Sequence, residues 1–326
     1  KWHGLHRLLF DEKIGILIVG ETHLSPAQAS EIKDDAILSK RIELLHSAHP
    51  TNPTASCGVA IVLNRELTNT KGVSFHNLIP GRALLAKIPW HGKRTVTVLG
   101  VYAPANSDEE NAEFWDSLTE LWLEKDLPVP DFLGGDLNVT PEPIDRLPHR
   151  DDSPRAVAAL QRFKRLLSLQ DGWRTTNPDT KDFTFISPLQ TCARLDAILA
   201  SPPALKNCRD WRISDAAGGL TDHRMVSVRY SAPGSPYIGR GRFPIPKHLL
   251  WDSQFIKFII EEGVKLQTLI DVNDPNLQKE WAAFKEKIAK FARKSAKKTV
   301  GAMEQKKRKL QFLRNSVLNT PVTPDE

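Results

Sequence analysis

The chain has 326 residues, 40% of them apolar and 26% charged, which allows one large folded domain with an appendage and excludes a disordered chain. Its net charge of +6 is uneven: eleven Lys or Arg against two Glu between 285 and 309 give a local +9 and leave the rest slightly acidic. Three widely spaced cysteines (Cys57, Cys192, Cys208) form no zinc pattern, and no run approaches a membrane span of roughly 18 apolar residues or a secretory leader, so a reduced, nuclear or cytoplasmic, intracellular setting with no membrane partner is expected.

In chain order, the patterning predicts a helix over 5–12 and strands over 15–19 and 58–63, with 40–55 read as a loop of no assigned role. Strands over 73–78 and 83–88 follow. The second is joined to a strand over 95–102 by the turn Trp90-His91-Gly92-Lys93. A helix over 108–125 is announced by Asn106-Ser107 and by the stripe Phe114, Trp115, Leu118, Leu121 and Trp122. A strand over 131–134 precedes a helix over 153–169, with Ser153-Pro154 as N-cap and first helical position. Strands over 195–200, 211–214 and 225–230 complete the first domain, 1–230. Antiparallel neighbours with helices outside imply two packed sheets flanked by helices, not a doubly wound parallel sheet.

The stretch 231–246, rich in Gly, Pro, Ser and Arg, reads as a connector within a linker assigned to 231–250. A basic helical extension over 251–326 is expected beyond it. Phe255, Ile256, Phe258, Ile259 and Ile260 lie in one helix, and Trp281, Phe284, Ile288 and Phe291 mark a face of another. A final helix carries the lysines and ends near Asn315, before Thr320-Pro321. The tail has too few apolar residues for its own core and is expected to need a partner or a following domain. Its lysines read as a polyanion contact, although a solvated helix face is the commoner meaning of such a run.

Five polar strings stand at the ends of strand-like runs: Glu21-Thr22-His23, Tyr102-Ala103-Pro104, Gly135-Asp136-Leu137-Asn138, Arg194-Leu195-Asp196 and Thr221-Asp222-His223. Strand ends are where an α/β scaffold presents catalytic side chains. One Asp-x-Asn after a strand is more often a turn, but five strings supply carboxylates, an amide, a phenol and an imidazole. Phosphodiester hydrolysis needs a nucleophilic water, charge neutralisation at phosphorus and help for the leaving oxygen. Glu21 and Asp222 supply hard oxygens for Mg²⁺. Asp136 is placed to deprotonate water, with Asn138 donating to a phosphate oxygen. His223 suits a cationic phosphate contact with Asp196 fixing its ring, and Tyr102 offers a phenolic donor.

These strings, with Leu99-Gly100-Val101-Tyr102-Ala103-Pro104, Asp171-Gly172-Trp173-Arg174 and Phe183-Thr184-Phe185, resemble the endonuclease/exonuclease/phosphatase (DNase-I-like) superfamily. Within it, the nearest likeness is the apurinic-endonuclease-like nuclease domain of LINE-type (non-LTR) retrotransposon polyproteins. The resemblance covers residues 1 to about 230. It implies an α/β fold, a four-layer α/β/β/α sandwich of mostly antiparallel strands, and a DNA-nicking hydrolase using Mg²⁺, with Mn²⁺ as a substitute. It assigns metal binding to Glu21 and Asp222. Catalytic contacts fall to Tyr102, Asp136, Asn138, Asp196 and His223, and proximity to the substrate strand falls to Thr184 and Arg194. DNA is the expected partner, with a reverse transcriptase domain in the parent polyprotein.

One departure accompanies the likeness. The family opens with a strand bearing an Asn metal ligand, whereas Lys1-Trp2-His3-Gly4-Leu5 matches the helix after it, so an N-terminally truncated fragment with its first strand missing and activity impaired is expected. Two competing readings are a catalytically inactive nucleic-acid-binding relic and a small-molecule phosphoesterase of the same superfamily. Intact downstream positions weigh against the first, and the lysine-rich tail weighs against the second.

Overall fold

Capping chemistry and short apolar runs lay down the elements of the computed structural model, which describes residues 2–90, 93–187, 191–215, 221–231, 245–273 and 276–319. Helix α1 (Trp2–Asp11) buries Leu5, Leu8 and Leu9 on one face. Strand β1 (Ile16–Val19) leads to α2 (Pro26–Asp34), opened by a capping box of Ser25 and Gln28, and to the single turn α3 (Leu38–Arg41). Strands β2 (Ile42–Ser47), β3 (Val59–Asn64), β4 (Ser74–Ile79), β5 (Ala83–Pro89) and β6 (Thr95–Tyr102) follow. The Ser107 hydroxyl accepts from the Glu110 amide at 3.1 Å to start α4 (Asp108–Glu124).

Then come β7 (Phe132–Asp136), β8 (Arg146–Leu147), α5 (Pro154–Leu166), β9 (Gln170–Asp171), α6 (Gly172–Thr176), β10 (Phe185–Ile186) and β11 (Cys192–Ala193). The first unit ends with β12 (Asp196–Ala200), α7 (Pro202–Leu205), β13 (Cys208–Asp215) and β14 (Arg224–Tyr230).

The main sheet has six strands in the order β4-β5-β6-β7-β12-β9. Every pair is antiparallel except β6–β7, where α4 supplies the crossover that a parallel pair needs. A second layer holds β1-β3-β2 and the pair β13-β14. Three apolar clusters separate four layers. Trp115, Leu118 and Phe163 of α4 and α5 meet Leu85, Leu99 and Leu133 on one face of the main sheet. Ile61, Leu63, Leu84, Ile88 and Val98 fill the space between the sheets. Leu44 and Val62 pack against Leu9, Ala29 and Leu38 of the outer helices. Within the second layer, β1 lies against β7 and β14 against β12. Among the described residues, β1 pairs only with β3 and β14 only with β13. All four residues of β1 are half-buried, whereas all six of β3 are buried.

The four-layer α/β/β/α arrangement agrees with the architecture expected from the sequence. One correction concerns 40–55, which contains β2 rather than being wholly loop. Ile42, Leu44 and Leu45 are buried there, while Glu43 turns outward to pair with Arg65. The β5–β6 hairpin forms, in register Ile88↔Val96; His91 and Gly92 of its turn lie outside the described residues.

The chain divides into two compact units, Lys1–Ser235 and Pro236–Glu326. Most of the connector (232–244) and Thr320-Pro321 also lie outside the described residues. The second unit contains α8 (Ser253–Asn273) and α9 (Leu277–Asn319). Its amphipathic and lysine-rich stretches are one helix, not two, because Gly301 does not interrupt it. That helix is about 64 Å long at 1.5 Å per residue. The tail also has a small core after all: Leu249, Phe255, Ile288, Ala292 and Ala296 are buried together. Phe258 and Phe291 stack beside them at 4.1 Å between ring centroids. Among the described residues, no helix is long and apolar enough to cross a membrane.

Candidate active site

Register alone gathers the first residues of the site. Tyr102 pairs with Asp136 across β6 and β7, and Asp136 pairs with Asp196 across β7 and β12. Paired residues share a face, so three side chains form a row at the strand ends. Position 135 must be glycine to permit this. Its φ is +136°, and a Cβ there would stand 1.9 Å from the Val101 carbonyl oxygen. Glu21, just beyond β1, is reached by the Tyr102 hydroxyl, which donates to Oε1 at 2.5 Å. Glu21 and Asn138 both adopt left-handed backbone, at φ 47° and 49°. Such conformations are costly for non-glycine residues and concentrate where a side chain must be aimed.

Asn138 closes the other side of the row. Its backbone N–H donates to Asp136 Oδ1 at 2.9 Å, and Nδ2 donates to the Ala103 carbonyl at 2.9 Å. His223 arrives from the start of β14 by a bridge to Phe185, whose ring lies 5.0 Å away. Its Nδ1 meets Asp196 Oδ2 at 2.7 Å. One ligand atom each from Asp136, Asp196 and His223 lie within 4.8 Å of one another. Asp222 is exposed; the Thr221 hydroxyl donates to it at 3.3 Å, and its charge acts on His223.

The carboxylate excess has electrostatic consequences. Burial, and then the charge of Asp196, holds the Asp136 carboxyl well above the usual range, against the opposing pull of His223. For His223, burial works downward but is outweighed by the hydrogen bond and charge of Asp196, with Asp136 and Asp222 adding. The imidazole is raised to about 9 and is therefore cationic at neutral pH. Burial and the bond to Glu21 push the Tyr102 phenol up, so it stays protonated. Oxygen donors around one imidazole suit a hard divalent cation such as Mg²⁺ or Mn²⁺.

Two expectations are corrected. Thr184 and Arg194 do not face a substrate groove. Thr184 is fully buried, and its hydroxyl accepts from the Asp196 N–H at 3.0 Å. Arg194 is 4% exposed and makes a two-pronged pair with Asp145, both bonds 2.7 Å, plus an ion pair with Asp171 at 2.8 Å. Burial of both partners explains the difference, because a guanidinium sealed between two carboxylates has no reason to turn outward. Sequence reading also missed Arg82. Its guanidinium lies 4.9 Å from the centre of the Tyr102 ring, and the Gly81-Arg82 pair immediately before β5 was its available signal.

The family model described as Endonuclease/Exonuclease/phosphatase matches residues 3–223. The chain belongs to that family. It is 32% identical over 209 residues to the transposon TX1 uncharacterized 149 kDa protein of Xenopus laevis, covering 63% of this chain but only 15% of that relative. Among solved structures, an AP endonuclease from Archaeoglobus fulgidus superposes with a TM-score of 0.55 at 24% identity, over 71% of this chain and 94% of the other. The endonuclease domain of TRAS1, a telomere-specific non-LTR retrotransposon, gives a TM-score of 0.50 at 14% identity, over 71% and 92%. At these identities the structural likenesses establish the DNase-I-like fold. The family places the chain among nuclease and phosphatase hydrolases.

Proposed function

We propose that this chain is a metal-dependent phosphodiester hydrolase that nicks DNA, read as part of a longer transposon-borne polypeptide. The carrying observation is the row Tyr102-Asp136-Asp196, closed by His223, with three ligand atoms within 4.8 Å. Glu21 and Asp222 are the residues proposed to hold Mg²⁺ or Mn²⁺. The cation would offset charge on the phosphoryl group during attack.

The chain's own groups do the rest. Asp136, whose buried carboxyl favours holding a proton, accepts one from the attacking water. Asp196 pins Nδ1 of His223, leaving Nε2–H to donate to a phosphate oxygen. Tyr102 holds the Glu21 carboxylate through its hydroxyl rather than acting as a phosphate donor itself. The second N–H of the Asn138 amide points this residue to a phosphate oxygen, since the first is engaged by Ala103. DNA is favoured over a small phosphoester because the second unit carries the basic stretch 285–309.

Nicking of supercoiled plasmid by the chain in Mg²⁺, against EDTA, tests this reading. The expected result is metal-dependent relaxation that Asp136→Ala and His223→Ala both abolish while DNA binding persists. Binding without any metal-dependent turnover would leave the relic reading. Faster turnover of small phosphomonoesters than of DNA would favour the phosphoesterase.

A further inference from the structure

An accumulation of carboxylates raises the question of what draws a polyanion to it. Asp136, Asp196 and Asp222 act on a single charged imidazole that is already paired with Asp196, and the charge of Glu21 adds at Asp136. The nearby arginines are mostly committed. Arg194 is sealed by Asp145 and Asp171. Arg224 donates to Asp182 and to Asp215.

Arg82 differs. Among the described residues, no carboxylate pairs with it. Its backbone is fixed on both sides: the Arg82 N–H donates to the Ile79 carbonyl at 2.9 Å, and its carbonyl accepts from the Tyr102 N–H at 2.9 Å. The preceding Gly81 N–H donates to Ser47 Oγ at 2.8 Å, at a φ of 71°. The half-buried side chain lies over the Tyr102 ring, with Nη1 reaching toward the Tyr102 carbonyl at 3.4 Å. The same ring holds Glu21 through its hydroxyl. One aromatic therefore carries a cation on its face and a carboxylate at its tip. A guanidinium stacked on a ring keeps a planar set of N–H donors, and that set matches two oxygens of a phosphate.

We propose that Arg82 is a substrate-contacting residue: it receives a phosphate of the nucleic-acid strand entering beside Asp136, with Tyr102 as its platform. The proposal rests on the hydrolase reading for its substrate class. Arg82 supplies the attraction that the carboxylates oppose, and it fixes the strand's position relative to Tyr102 and Glu21. It takes no part in proton transfer.

The test is a comparison of the whole chain and its Arg82→Ala and Arg82→Lys variants in binding a short fluorescein-labelled DNA duplex. EDTA is included so that no cleavage intervenes. Affinity is measured by anisotropy between about 50 and 200 mM salt. Loss of one phosphate contact is expected to lower the slope of log affinity against log salt by about 0.9 in Arg82→Ala. Affinity should fall about tenfold, the usual effect of deleting a hydrogen bond to a charged group. Arg82→Lys should keep the slope while binding more weakly than the wild type. Unchanged slope and affinity in Arg82→Ala would overturn the proposal, as would Arg82→Lys behaving like Ala. Should Arg82→Ala fail to fold by circular dichroism, Arg82→Gln replaces it with the same expected loss of slope. A wild type that binds but never nicks plasmid refutes the hydrolase reading alone, because the binding comparison needs no turnover.

Discussion

Two ionic clusters lie either side of Leu195, and they are built from similar side chains. On one side Arg194 and Arg174 surround the fully buried Asp145, and Asp171, the half-exposed Glu142 and the nearby charge of Lys164 complete a set of three cations and three anions. On the other, Asp196 joins Asp136 and Asp222 around a single histidine, with Glu21 acting on Asp136. The first cluster is neutral and shut away, so it ties the loop near Asp145, the cap of α6 and the start of β12 together. The second has a surplus of negative charge and opens to solvent, with His223 25% and Asp196 22% exposed. Charge balance separates them more clearly than residue type does. A balanced buried set holds a fold, and an unbalanced accessible one attracts a cation and a substrate.

The contrast breaks most sharply on single substitutions. Asp136→Ala should reduce plasmid nicking by about 10²–10⁴-fold, the usual contribution of a general base. Its urea midpoint should be unchanged or higher, because a buried carboxyl held above its normal range is removed. A large drop in stability instead would put Asp136 in the structural class. Asp145→Ala should do the reverse and cost about 3–5 kcal/mol of stability, since it removes the buried carboxylate that Arg174 and Arg194 share. Nicking per folded molecule should then remain close to wild type at temperatures well below the melt.

A smaller effect follows from pH. His223 is raised to about 9 in the fold, so its contribution is fully present below an unfolded value near 6.5 and is lost as pH rises through 9. Melting of the metal-free chain should show about 2 kcal/mol of stability disappearing across that window, allowing for partial exposure. The raised Asp136 works in the same direction over the more acidic range. His223→Gln should flatten the alkaline part of the curve, and a curve equally steep in that variant would remove His223 from the account. The smallest change expected is for Thr184→Val, which leaves the Asp196 N–H without its acceptor at a cost of about 1–2 kcal/mol. Its nicking rate should fall only a few-fold.

The row was legible because each member stands at one end of an apolar run that also reads as a strand. Tyr102, Asp136 and Asp196 needed only the sheet register to meet. Thr184 and Arg194 were misread, because what decides their roles is not local. Asp145 stands 49 residues before Arg194, and no spacing in the sequence couples them. Strand β2 was hidden by Glu43, which interrupts the apolar run yet points away from the core. The single long α9 was hidden by Gly301, whose position has no neighbour within 4 Å for an added Cβ. Helix propensity lost at one exposed glycine is about 1 kcal/mol, too little to break a helix whose first half is packed on its own unit.

The second layer has a consequence for handling the molecule. β1 and β14 cover adjacent strands of the main sheet, and each leaves most of one row of amides and carbonyls without a strand partner among the described residues, the Arg224 N–H of β14 being taken by the Thr184 carbonyl. Rows of that kind act as templates for any extended peptide that meets them, including a neighbouring copy. Concentrating the chain should therefore bring ordered, concentration-dependent clumping before unfolding begins. Light scattering at fixed temperature would register it, and a proline placed at Ile16, at the start of β1 where the N–H faces away from β3, should suppress it.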